Sequence, residues 1–317
     1  MNDKKNDCFE KFFIHNKENL NNKFVLIIGS GIHKEFLKEN QRDVCNFKCW
    51  KSLFRTLAES KKSQIQPTDF PILDFERLIY EITRKESHYN GSKPAHTVEN
   101  EILKKIPEIL DIQKIQNLEV ERYPLELFNP QFISDVIILN FDLILENLFA
   151  KKTNQKKWKN LISSNPLSKD KIYKKSNFKY RIIKDIRFWH PHGDIKNPYS
   201  IILGLRKYGN QIKTIEKLRE RYKARKPNTI SKSETWLDPL MNKPILILGA
   251  EISCNEWDIL FTLLTKKRNS ARYGIDQPIF QMSTNNSNLV LNDWVYPVSS
   301  NNISFENQWN LLKKLFK

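Results

Sequence analysis

Glycine is scarce in this chain, and it stands mostly where apolar runs end, which narrows the folds open to the sequence. Eight glycines occur in 317 residues. Gly29 and Gly31 close the run Phe24-Val25-Leu26-Ile27-Ile28, Gly204 ends Ser200-Ile201-Ile202-Leu203, and Gly249 ends Ile245-Leu246-Ile247-Leu248. Gly193 follows His192 in Trp189-His190-Pro191-His192-Gly193-Asp194. A glycine weakens a strand or helix unless the backbone needs a positive φ or another group must come close. Five of eight in such places point to one ligand cleft, and an α/β nucleotide site is the arrangement that builds one from strand ends.

The rest of the pattern agrees. Residues 24–28 are apolar on both faces, as a buried parallel strand requires. Val136-Ile137-Ile138-Leu139 is a second such run and leads through Asn140-Phe141-Asp142 into an amphipathic stretch over 143–149. Residues 186–189 feed the His192 loop, 245–248 lead to Gly249-Ala250-Glu251-Ile252-Ser253 and a helix over 257–267, and 278–282 form the last strong strand. Between the first two strands, helix-spaced apolar residues recur in 51–57 and 75–80. Strands alternating with helices predict an α/β fold with a Rossmann-like, doubly wound parallel sheet that holds its ligand at the carboxyl ends of the strands. The expected organisation is a polar leader over 1–22 and one domain over 23–317, with a helical insertion over about 50–130 and a basic helical segment over about 205–240.

The formal net charge of +17 raises the question of nucleic acid. The basic residues are spread out, apart from short clusters and a helix over 215–225 carrying Lys217, Arg219, Arg221, Lys223 and Arg225. That helix reads either as a solvated face or as a docking surface for nucleic acid, an acidic partner or a sister subunit. Cys8, Cys45, Cys49 and Cys254 lack paired CxxC spacing, which argues against a zinc site. The start of the chain is polar, and no stretch reaches the ~18 to 20 apolar residues of a membrane span. Free thiols without an export signal imply a cytoplasmic protein.

Single motifs remain open to more than one reading. Gly29-Ser30-Gly31 is either a tight packing turn or a phosphate cradle, because Lys34 stands where a dinucleotide fingerprint has its third glycine. Asn140 and Asp142 suit a helix cap as well as a cleft. His190-x-His192-x-Asp194 has the start of a metal signature, but Ile195 follows where another histidine would stand and none occurs after His192, so no metal is expected. His190 reads as a hydrogen-bonded structural histidine.

Taken in order, the motifs resemble the sirtuin-like family, and more closely its prokaryotic NAD-cleaving defence branch than its protein deacetylases. Gly29-Ser30-Gly31-Ile32-His33 is similar to the family's Gly-Ala-Gly-Ile-Ser loop, and Asn140-Phe141-Asp142 to its Thr-Asn-Tyr-Asp segment. His192-Gly193-Asp194 followed by Pro198-Tyr199-Ser200-Ile201 is similar to the family's His-Gly and Pro-x-Ser-Ile, and Gly249-Ala250-Glu251-Ile252-Ser253 with Glu256-Trp257-Asp258 to its late Gly-Tyr-Ser-Leu region. The resemblance spans 24–283. The chain departs from the deacetylases in reading Lys34-Glu35-Phe36-Leu37 after the first loop and in lacking the cysteine pairs of their zinc module, which the helical insertion would replace.

The resemblance implies NAD as substrate, Asn140 and His192 as catalytic residues, and Gly29, Ser30, Gly31, Asp142, Gly193, Gly249 and Ser253 as the cofactor-facing set. Asn140 would hold the ribose and a water, and a neutral His192 would accept a proton. The implied activity is an NAD glycohydrolase releasing nicotinamide and ADP-ribose, an antiphage effector depleting NAD on activation and held in check by self-assembly into a homo-oligomer or by an activating protein partner. The alternatives are a non-catalytic NAD or ADP-ribose binding module that docks nucleic acid or a protein, and a protein-lysine deacylase.

Overall fold

The computed structural model of the chain describes residues 8–17, 23–36, 50–68, 70–90, 94–110, 123, 125–153, 178–223, 235–250, 252, 256–274, 277–282, 295–298 and 305–316. Seven strands form one sheet in the order β3-β4-β2-β1-β5-β6-β7. Strand β1 (Phe24–Ile28) is buried at every position and pairs in parallel with β2 (Ile133–Ile138) on one side and β5 (Ile245–Leu248) on the other. Strand β4 (Ile186–Trp189) extends the sheet in parallel beyond β2, as do β6 (Ile279–Gln281) and β7 (Tyr296–Pro297) beyond β5. The doubly wound parallel sheet read from the sequence is thus the fold observed. One edge differs. Strand β3 (Tyr180–Ile183), which the polar composition before it hid, pairs antiparallel with β4 through Lys184 and Asp185. Both turn residues have positive φ, 47° and 65°, the backbone that a two-residue hairpin demands.

Alternation along the strands divides the core into two layers. Phe24, Leu26 and Ile28 of β1 face one layer with Leu246 and Leu248 of β5, whereas Val25 and Ile27 face the other with Ile245 and Ile247. The first layer receives α1 (Cys8–Lys17), α2 (Gly31–Phe36) through Ile32, the helical insertion, α6 (Ile144–Lys152) and α10 (Phe305–Leu315). The second receives α7 (Leu205–Lys223), α8 (Leu237–Asn242) and α9 (Trp257–Tyr273). The insertion is built from α3 (Trp50–Ser60), α4 (Pro71–Asn90) and α5 (Ala95–Ile109), whose buried residues Leu53, Phe54 and Leu57, Phe75, Leu78 and Ile82, and Val98, Ile102 and Ile106 recur at helical spacing.

Residues 8–17, expected as part of a polar leader, do more than lead in. Phe9 and Phe13 stand four apart on α1 and are buried against Phe24, Phe280, Phe132 and Phe316, because a helix sums two such residues into one apolar stripe that a composition count averages away. Helix α7 starts at Leu205, where the basic helical segment is expected to begin and ahead of the helix read over 215–225. Its buried face carries Tyr208, Gln211, Ile215, Leu218 and Tyr222, and among its described side chains Lys213, Glu216, Lys217 and Glu220 are exposed, so that face alternates in sign. Arg225 lies outside the described residues.

Near the amino end of β2, one buried carboxylate ties β2 to β4 and to the segment that leads into β5. Asp135 accepts from Arg187 Nε at 2.7 Å and Nη2 at 2.8 Å, from Trp189 Nε1 at 2.9 Å and from Lys243 Nζ at 3.2 Å. Burial alone would raise its pKa, but the charges of Arg187 and Lys243 outweigh burial and hold it below the usual carboxylate range. Asp135→Ala should therefore lower stability by about 3 kcal/mol, the low end for breaking a buried pair because Arg187 and Lys243 stay part-exposed. Chemical denaturation at pH 7 checks the value. The wild-type advantage should shrink as pH falls through the depressed pKa of Asp135, since protonation removes the same charge.

Candidate active site

Parallel strands point their carboxyl ends the same way, so the loops after β1, β2, β4 and β5 meet along one edge of the sheet. Ile137 pairs with Trp189, and Asn140 and His192 each stand three residues beyond that pair on adjacent strands. The loops are stitched to one another. Leu139 N–H donates to Ile28 O at 2.9 Å, Ile195 N–H to Phe141 O at 2.9 Å, and His190 Nδ1 lies 3.1 Å from Asn140 O.

The glycines make this meeting possible. Gly249 has φ +59°, and a Cβ there would lie 2.4 Å from Ile32 N; a Cβ on Gly29 or Gly31 would lie 2.6 or 2.7 Å from Gly249 O. Gly31 N–H donates to Gly249 O at 2.8 Å and Gly29 N–H to Leu248 O at 3.1 Å, while Ile32 and His33 N–H turn back to Gly29 and Ser30 carbonyls. Four amides of the loop are therefore committed inside the protein, and the two glycines serve the close approach of two loops. Ser30 is half-buried at the tip. Gly193 has φ +83° and turns tightly, its N–H donating to His190 O at 3.0 Å. Ser253 lies outside the described residues.

Asp142 is buried and turned inward. Its Oδ1 accepts the Ile144 N–H at 3.0 Å at the start of α6, and its Oδ2 lies 3.2 Å from His33 Nε2, whose other nitrogen lies 3.0 Å from the Tyr123 hydroxyl. Burial opposes the charge on Asp142, yet the His33 pair and the Ile144 amide keep its pKa low. Asp142 thus locks the β1 and β2 loops together, and His33, standing where the resembled family has serine, supplies the other half of the lock.

His190 is the structural histidine that the sequence suggested. It sits between the Asn140 carbonyl and Glu146 Oε1, the latter at 2.5 Å, and the Glu146 charge outweighs burial to raise its pKa. Asp194 pairs with Arg181 of β3 at 2.7 Å. His192 keeps part of its ring open, with its side chain 11% exposed. Its Nε2 lies 3.0 Å from Asp258 Oδ2, and the ring also hydrogen-bonds the Leu139 carbonyl. Burial works against a charged ring, but Asp258 outweighs it and raises the pKa. The neutral ring expected from sequence is thus a ring that holds its proton to higher pH than free imidazole, because a carboxylate remote in sequence faces it.

Asn140 differs from its neighbours. Its Nδ2 is buried without a hydrogen-bond partner among the described residues, as is Glu146 Oε2 nearby, but it is an amide donor carried on the β2 loop. A desolvated amide donor left unused costs about 1–3 kcal/mol, a cost that a ligand acceptor removes. Among the described residues no group of three or more His, Cys, Asp or Glu is arranged to hold a metal ion.

The sequence placed Asp258 in the late motif without a role of its own, and it did not single out Tyr208, Gln211, Glu146 or Arg181 as parts of this site. One signal was present: Tyr208 and Gln211 interrupt an otherwise apolar stripe at 208, 211, 215, 218 and 222 of a charged helix, and polar groups on a buried face need partners.

The fold and the edge just described define an α/β protein whose motif-bearing loops converge at the carboxyl ends of its parallel strands. The family model of the SIR2-like domain matches residues 134–287, just under half of the chain, from β2 through β6. The match supports a sirtuin-like family, whose domains carry out NAD-related chemistry, and it includes Asn140, His192 and Gly249 but not the β1 loop. A search of the curated proteins finds no match. No helix among the described residues is long and apolar enough to cross a membrane.

Gly193 offers a test of the loop. A Cβ there would lie 2.2 Å from Ser200 O, so Gly193→Ala must displace the His192 loop as well as strain its backbone. Thermal unfolding should show a loss of about 1–3 kcal/mol from the backbone term alone, whereas Gly209→Ala, which meets nothing within 4 Å in the middle of α7, should hold or gain stability.

Proposed function

We propose that the chain is an NAD glycohydrolase that cleaves NAD to nicotinamide and ADP-ribose. The unpartnered Asn140 amide carries this reading, because it leaves a donor at the ligand edge of a SIR2-like domain with His192 on the neighbouring loop. Nicotinamide leaves as a neutral base while positive charge develops on the ribose, so the reaction needs positioning and a water more than it needs a strong nucleophile. Asn140 orients a ribose hydroxyl or that water. The water oxygen bonds to the ribose carbon as the bond to nicotinamide breaks, and the proton shed passes to His192 and then to solvent.

Water is the acceptor favoured over an acyl-lysine peptide, since the cysteine pairs of a deacetylase zinc module are missing from the sequence and a helical insertion stands between β1 and β2. Glu99 of α5 accepts from Arg206 Nη2 at 2.6 Å, and Glu76 of α4 from the Leu205 N–H at 2.6 Å, so the insertion is fastened to the helix that follows the His192 loop. The biological role proposed is an antiphage effector that depletes NAD on activation, controlled by self-assembly or an activating protein partner; the sequence resemblance to the defence branch supports it.

Purified protein incubated with NAD, alone and with candidate partners, should release nicotinamide and ADP-ribose without any acylated peptide. Asn140→Ala and His192→Ala should each reduce turnover at least about 100-fold, Asn140→Ala while unfolding near the wild-type temperature and His192→Ala with some loss of stability, since buried Asp258 loses its imidazole partner. His190→Ala should instead lose stability, because it strips Glu146 of its buried partner. Turnover that appears only with an acyl-lysine peptide and yields O-acyl-ADP-ribose would show a deacylase, and binding without turnover a non-catalytic module.

A further inference from the structure

Asp258 is the second residue of α9 and is fully buried. His192 Nε2 lies 3.0 Å from its Oδ2 and 3.2 Å from its Oδ1, Gln211 Nε2 donates to Oδ2 at 3.0 Å, and the Tyr208 hydroxyl donates to Oδ1 at 3.1 Å. The Ile259 N–H adds a bond at 2.9 Å. Gln211 Nε2 also donates to Pro191 O at 2.9 Å, so one side chain of α7 grips both the carboxylate and the loop that carries His192. Taking a carboxylate out of water is expensive unless charge and hydrogen bonds repay it. The first-turn amide of α9 needs only one of its oxygen sites, and the remaining bonds all run to the ring and to the two side chains that brace it.

We propose that Asp258 is a positioning residue for His192: it takes the Nε2–H, orients the ring and stabilises the cation formed when His192 takes up the substrate's proton, with Tyr208 and Gln211 holding the carboxylate in place. The part concerning the substrate's proton rests on the NAD-cleaving reading. The geometry of the pair does not. The arrangement has the logic of a base whose second nitrogen is held by a buried carboxylate, which both orients the imidazole and stabilises the cation formed on proton uptake.

Burial opposes a charged His192 ring, but the carboxylates of Asp258 on α9 and of Glu256 just before it, with the Leu139 carbonyl of the β2 loop, outweigh it, while the Tyr208 hydroxyl of α7 tempers Asp258 by donating to it. His192 therefore loses its proton at higher pH than a free imidazole, and a reaction that needs the base form gains rate as pH climbs through that raised value.

The test is an imidazole NMR titration of the full chain labelled in histidine, with the His192 signals identified by their loss in His192→Gln. The expected result is the Nε2–H tautomer on deprotonation and a raised titration point. Asp258→Asn should lower the ring's proton affinity about tenfold or more. Tyr208→Phe, which keeps the charge but removes a donor sharing it, should move the titration the other way, and it keeps the proposal testable should Asp258→Asn fail to fold. In the NAD assay, Asp258→Asn should lower kcat at least about tenfold and move the acid limb of the pH profile toward lower pH. A His192 titration unmoved by Asp258→Asn, or lowered by Tyr208→Phe, overturns the proposal even where NAD is cleaved. The expected titration shifts in a protein that never cleaves NAD would leave the pair standing and remove the NAD-cleaving reading instead.

Discussion

Everything at the site depends on β1 being buried on both faces and paired in parallel on both edges. A strand in that position has no exposed side on which to tolerate polar residues, which is why 24–28 is uninterrupted in its apolarity. Its neighbours β2 and β5 run the same way, so three loops leave the sheet together. They crowd because adjacent strands lie only about 5 Å apart. Glycine at 29, 31 and 249 relieves the crowding, since a side chain on any of the three would run into the opposite backbone.

Once gathered, the loops are held by three histidine–carboxylate pairs. His33 with Asp142 joins the β1 loop to the β2 loop, His190 with Glu146 joins the β4 loop to α6, and His192 with Asp258 joins the same β4 loop to α9. Each pair is shielded from water and supplemented by other hydrogen bonds, the condition under which buried charges are tolerated. The result is a rigid frame in which most polar groups are already satisfied. Asn140 Nδ2 is the contrast, a donor without a partner among the described residues. A preorganised frame around an unused donor is what recognition of a polar ligand requires, because no reorganisation is needed when the ligand arrives.

The two layers divide the work. On one face of the sheet the helical insertion packs an apolar core and reaches α7 through Glu99 and Arg206. On the other, α7 and α9 bring Tyr208, Gln211 and Asp258 to the ring of His192. A helix read from its charge as a surface for partners is, on its inner face, part of the support of the site. Its outer charges and its inner polar pair share one segment because a helix separates them by angle, not by sequence distance.

The sequence by itself determined the sheet, the helical insertion and the placing of Asn140, Asp142, His192, Gly193 and Gly249 at strand ends, because period-two and period-3.6 apolar patterns and glycine positions are local signals. It did not show the antiparallel strand β3, whose turn is written in Lys184 and Asp185 where glycine or asparagine would have announced it. Nor did it show that α1 belongs to the core, since its three phenylalanines stand among charged and polar residues that keep the composition of the segment polar. Only the tertiary structure decided which carboxylate faces which histidine. Asp258 lies 66 residues from His192, Glu146 lies 44 from His190, and Asp142 lies 109 from His33. Charge acts through space at a few ångströms, and the chain order that carries the local patterns holds no record of those distances.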